Sequence, residues 1–120
     1  MSGEFHPPAP AEEFPVQIFE GEATIAMPAE VTDFNSPDLK ERMLELIAED
    51  DLQTIVLDLE NCGFVDASFL MVLVGSFKRA SDVDKQLILR GAKHRDVSKI
   101  FEITGLDRVF KFEDGEQLET

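Results

Sequence analysis

The chain has 120 residues, 43% of them hydrophobic, which suits one domain around one core and leaves no room for a second. Asp and Glu total 25 against 11 Lys and Arg, a net charge of -14, so phosphate backbones and anionic lipids repel it, and neither nucleic acid nor membrane insertion is expected. The single cysteine, Cys62, excludes an internal disulfide and a multi-cysteine zinc site and fits a reducing cytoplasm, and no stretch nears the roughly 18 apolar residues of a membrane span.

Residues 1–14 carry Pro7, Pro8 and Pro10 among Ala, Glu and His6, and read as a flexible proline-rich tail ahead of a domain spanning 15–120. Val16-Gln17-Ile18-Phe19 and Ala23-Thr24-Ile25-Ala26 are β-rich runs on either side of Gly21, which predicts an antiparallel hairpin at a sheet edge. Asn35-Ser36-Pro37-Asp38-Leu39 starts a helix. Ser suits a cap, Pro the first helical position, and Asp the positive end of the dipole. Leu39, Met43, Leu46 and Ile47 then recur at helical spacing.

Thr54-Ile55-Val56-Leu57-Asp58-Leu59 is β-branched and nearly continuous, the pattern of a central parallel strand covered on both faces. Phe64-Val65 leads to Asp66, an N-cap for an apolar helix that runs from Phe69 through Gly75 to Phe77, Lys78 and Arg79. Gln86-Leu87-Ile88-Leu89 predicts another strand. Val97, Ile100 and Phe101 mark one face of a further helix, closed by Gly105 and Leu106, and residues 108–112 offer a last strand. The acidic residues 113–120 read as a helical turn or a frayed end. Hairpin, helix, strand, helix, strand, helix is the alternation that builds an α/β fold with right-handed crossovers.

Catalytic constellations are missing from this pattern. His6 and His94 give neither a metal pair nor a base with a partner, and the seven glycines form no phosphate-binding fingerprint. Asp50, Asp51, Asp58, Glu60 and Asp66 lack the spacing of a magnesium-binding phosphoacceptor cluster, because Asp50-Asp51 precede the central strand. The expectation is therefore a protein without metal or cofactor that binds another protein and is not an enzyme.

The segment Asn61-Cys62-Gly63-Phe64-Val65-Asp66-Ala67-Ser68-Phe69-Leu70-Met71-Val72-Leu73 resembles the core signature of STAS domains of the anti-sigma-factor antagonist type. In that family a buried strand runs into an Asp, a small residue, a Ser or Thr, and an apolar helix. The likeness extends from about Val16 to Phe112, taking in Asn35-Ser36-Pro37-Asp38-Leu39 and Gly105-Leu106. It implies a single STAS-like α/β domain, a mixed four- to five-stranded sheet with helices packed on it.

The resemblance also implies a role. Unphosphorylated, such a protein binds an anti-sigma serine kinase and frees the sigma factor; phosphorylation, here of Ser68, ends the contact, and a PP2C-type phosphatase is a further implied partner. A second role in the same family is accessory subunit of an ABC-type lipid transport complex, which needs no phosphorylation. Asn35, Asp66, Ala67, Ser68, Phe69 and Met71 are the implied partner-binding residues. Ala67 stands where the family usually has Ser or Thr, Thr32 where many members carry Asp, and Phe69 and Met71 where glycines are frequent.

Without the family, Ser68 needs no explanation beyond helping Asp66 satisfy free amides at a helix start. A helix on a small sheet must still show some side to solvent, which makes Phe69 or Met71 the expected docking patch. Cys62 reads as a small filler at a turn, His94 as surface, and Lys78 and Arg79 as complements to the negative end of the helix.

Overall fold

A computed structural model describes residues 13–113 of the chain. Strands β1 (Val16–Phe19) and β2 (Glu22–Ala26) form the hairpin, antiparallel from Val16 opposite Ile25 to Phe19 opposite Glu22. Glu20 and Gly21 form its turn with φ of 49° and 80°, the two positive values of a turn whose twist matches that of the flanking strands. β2 pairs in parallel with β4 (Thr54–Asp58), β4 with β6 (Gln86–Arg90), and β6 with β7 (Lys111–Glu113). The sheet is thus mixed and five-stranded in the order β1-β2-β4-β6-β7, with β4 central as its composition predicted.

The connections carry helices α1 (Ser36–Ile47), α2 (Ala67–Asp82) and α3 (Arg95–Thr104). Leu39, Met43, Leu46 and Ile47 of α1, Phe69 and Leu73 of α2, and Val97 and Phe101 of α3 enter one buried cluster with Ile25, Ile55, Leu57, Leu87 and Leu89 of the sheet. All three helices therefore cover the same sheet face, as successive right-handed crossovers in one direction require.

The expectation that β4 is covered on both faces holds, but the second face is covered by side chains. Val56 is fully buried yet faces away from the helix cluster, beside Thr24 and Ile88 in register. On this face, opposite α1, α2 and α3, Arg90 of β6 reaches Glu113 of β7 at 3.2 Å and Glu22 of β2 at 3.6 Å, so its side chain crosses β4. The long aliphatic stems of such side chains shield a strand centre that no helix among the described residues covers.

Two further differences concern chain ends and loops. Phe14, assigned to the tail on composition, is completely buried in the core, so the packed domain begins at least one residue earlier than predicted. The rest of the proline-rich tail, including His6, and residues 114–120 lie outside the described residues. After α3 the chain makes a 3-10 turn (Leu106–Arg108) before β7, which starts at Lys111 instead of Arg108. A second, two-stranded sheet pairs β3 (Glu30–Val31) with β5 (Phe64–Val65) in parallel, placing the loop after β3 beside the start of α2.

Candidate functional site

Asp66 caps α2. Its Oδ1 accepts from the backbone N–H of Ser68 at 2.9 Å and of Phe69 at 3.3 Å, satisfying two of the free amides of the first turn. The same oxygen accepts the Ser68 hydroxyl. Its Oδ2 accepts the Asp33 N–H at 3.0 Å, from the loop that follows β3. One carboxylate thus joins the start of α2 to a loop 33 residues earlier in the chain. Its pKa is held below the ordinary carboxylate value, first by the Ser68 hydroxyl and then by the Phe69, Asp33 and Ser68 amides, against a smaller opposing effect of burial.

Ser68 is the second residue of α2 and partly exposed, and Ala67 before it is exposed. Asn35, expected at the partner face, is 8% exposed and its side chain is occupied internally. Its Oδ1 accepts the Thr32 N–H at 2.9 Å, while Nδ2 donates to the Glu30 carbonyl at 3.0 Å and to Glu13 at 3.2 Å. Asn35 is also the N-cap of α1 by position, but its side chain turns back into the loop and makes no cap bond to the helix. It shapes the loop and leaves its neighbours to face outward.

The neighbour that does so is Phe34, 87% exposed, the most exposed large apolar side chain among the described residues. Sequence reasoning missed it, although an aromatic inside Thr32-Asp33-Phe34-Asn35, a run with no helical or strand period, is an available signal.

The choice between Phe69 and Met71 is decided by orientation. Phe69 is fully buried, edge-on to Phe101 of α3 at 6.5 Å between ring centres, and is corrected from docking residue to core anchor. Met71 is 74% exposed on the outer face of α2. Phe34, Ala67, Ser68 and Met71 therefore share the accessible end of α2 and its adjoining loop, with Asp66 at the base.

Cys62 is buried, its thiol donating weakly to the Phe64 carbonyl, and burial pushes its pKa up, which leaves little thiolate to react. His94 is exposed against Gly63. Among the described residues no three His, Cys, Asp or Glu side chains converge on a point that could hold a metal ion, and no helix is long and apolar enough to cross a membrane.

The sequence matches the STAS domain family over residues 13–118. An anti-sigma-B factor antagonist of Staphylococcus aureus (strain NCTC 8325 / PS 47) is 31% identical over 86 residues, which is 72% of this chain and 78% of that protein. Among solved structures, the anti-sigma factor antagonist SpoIIAA in its unphosphorylated form aligns with a TM-score of 0.75 at 19% identity, over 87% of this chain and 89% of that one. The phosphorylated form of SpoIIAA from Bacillus aligns with a TM-score of 0.69 at 18% identity, over 87% and 92% of the two chains. The structural likeness speaks for the fold, and the family match covers the described domain from its first residue to its last: the chain belongs to the STAS domain family.

Proposed function

We propose that this protein is an anti-sigma-factor antagonist of a partner-switching circuit, which binds an anti-sigma serine kinase when unphosphorylated and is released when Ser68 is phosphorylated. The observation that carries the reading is the double duty of Asp66, which accepts the Ser68 hydroxyl on one oxygen and holds the Phe34 loop through the Asp33 N–H on the other. The name of the Staphylococcus aureus relative supports the role.

In the transfer the Ser68 O–H bond breaks and Oγ bonds to the γ-phosphorus of ATP as the bond to the leaving ADP oxygen breaks. Phosphoserine then has no hydroxyl proton for Asp66 and carries a charge of about -1.5 to -2 beside that carboxylate. The phosphate competes for the amides at the start of α2, where the helix dipole favours it, and the repelled Asp66 loosens its hold on the loop of Phe34. Phe69 and Leu73 stay buried beneath, so the domain remains folded. What is lost is the contact surface, because seating a phosphate dianion in a packed interface carries a large desolvation cost. SpoIIAA, whose fold is similar, has been solved in both forms.

The test is binding of the native-host anti-sigma kinase to purified variants. Ser68→Asp is expected to weaken binding by about tenfold or more with an unchanged thermal midpoint, and Ser68→Ala to bind normally and take up no phosphate. Unchanged affinity in Ser68→Asp contradicts the proposal.

A further inference from the structure

Helices α1 and α2 lie side by side, and the seam between their outer faces is open. One cavity of about 330 Å³ is lined by Lys40 and Leu44 of α1 with Met71, Gly75 and Arg79 of α2. A second of about 270 Å³ shares Leu44 and Arg79 and continues past Ala48 to Val83. Together they make one groove running most of the length of α2. Its apolar borders are uncovered, with Leu44 36%, Met71 74% and Val83 51% exposed.

Gly75 gives the groove a direction of use. Glycine weakens a helix interior relative to alanine. Nothing inside the described fold calls for it here: a Cβ at this position meets no atom within 4 Å, and its backbone is not in the left-handed region. A glycine that its own fold does not require is accounted for by close approach from outside. Charge indicates what approaches. On a chain of net charge -14, Lys40 and Arg79 line this groove, and neither is in a salt bridge among the described residues. Asp82 lies only at the far end. From Met71 to Val83 the helix rises about 18 Å, the length of roughly three helical turns.

We propose that this groove seats an amphipathic helix of a partner protein, with an apolar seam, a small residue over Gly75, and carboxylates facing Lys40 and Arg79. A second copy of this chain is disfavoured by the repulsion of two strongly acidic molecules. The inference goes beyond the switch at Ser68, because occupancy of the groove requires neither the hydroxyl nor its phosphate.

The experiment titrates the ¹⁵N-labelled full chain with a side-chain-stapled helical peptide of about four turns, with Leu and Ala along one seam and Glu on its flanks. A twin peptide carries Lys in place of every Glu. The expected result is amide shifts at Leu44, Gly75 and Val83 with the acidic peptide and none with the basic one. Gly75→Leu fills the open space and is expected to weaken binding about tenfold or more while holding the thermal midpoint. The doubly reversed Lys40→Glu and Arg79→Glu variant, altered only at exposed positions, is expected to weaken it equally and does not depend on how Gly75→Leu folds. The proposal is overturned by an absence of groove shifts at millimolar peptide, by an equal response to both peptides, or by affinity that both variants leave unchanged. Groove shifts that grow with protein concentration in the absence of peptide would identify a second copy as occupant and also overturn it. None of these outcomes depends on whether an anti-sigma kinase binds, so failure here and failure of the Ser68 switch are told apart.

Discussion

Asp66 accepts from four groups on its two oxygens: it satisfies two free amides at the start of α2, receives the Ser68 hydroxyl, and tethers the Phe34 loop. Replacing it by Ala is expected to cost about 0.5–2 kcal/mol, the range for losing an N-cap, read by urea unfolding at neutral pH. Because its folded-state pKa is depressed, this stabilisation is complete above the unfolded value of about 3.9 and is lost as pH falls through the lower folded value. The stability gap between wild type and Asp66→Ala should therefore hold steady from neutral pH to about 5 and close in stronger acid. A gap that stayed constant to the lowest measurable pH would mean that the carboxylate charge is irrelevant. Phe34→Ala, at a surface position, should shift stability by no more than about 0.5 kcal/mol yet weaken binding of the kinase. Asp66 was legible as a cap because capping is a local matter of one side chain and the next three amides. Phe34, Asn35 and Phe69 were not, since which way each points is fixed by β3, Glu13 and Phe101, all distant in sequence.

Among the elements, β4 carries the sheet. Leu57 is completely buried, pairs in register with Ile25 and Leu89, and joins the cluster beneath the helices. Leu57→Ala is expected to destabilise by about 2–5 kcal/mol, and an unchanged thermal midpoint would contradict its burial. Phe14→Ala is expected to cost about 3–5 kcal/mol for the same reason, although composition alone put this residue in a tail. Its proline-rich neighbours hid it, because one aromatic beside a polar stretch has no period to read. Periodicity did yield α1, β4, α2, β6 and α3, whose apolar repeats are long enough to separate helix from strand. The β3–β5 sheet has two residues per strand, too few for any repeat, and it is the element that brings the Phe34 loop to Ser68. The continuous apolar run of β4 showed that both faces are covered, but sequence does not say what covers the second, where an Arg90 side chain lies across the strand.

At the scale of the molecule, one core serves all three helices, while Ala67, Ser68 and Met71 at the start of α2 stand outside it. The chemistry proposed at Ser68 is then expected to be separable from stability, because the residue is partly exposed and the core beneath α2 is made by Phe69, Leu73 and their neighbours. The most direct measurement incubates the full chain with the native-host anti-sigma kinase and ATP, locates phosphate by fragmentation mass spectrometry, and compares kinase affinity of the modified and unmodified protein by calorimetry. The account predicts phosphate on Ser68 alone, affinity reduced by about tenfold or more, and an intact thermal transition. Phosphate at another residue, or equal affinity of the two forms, would contradict it.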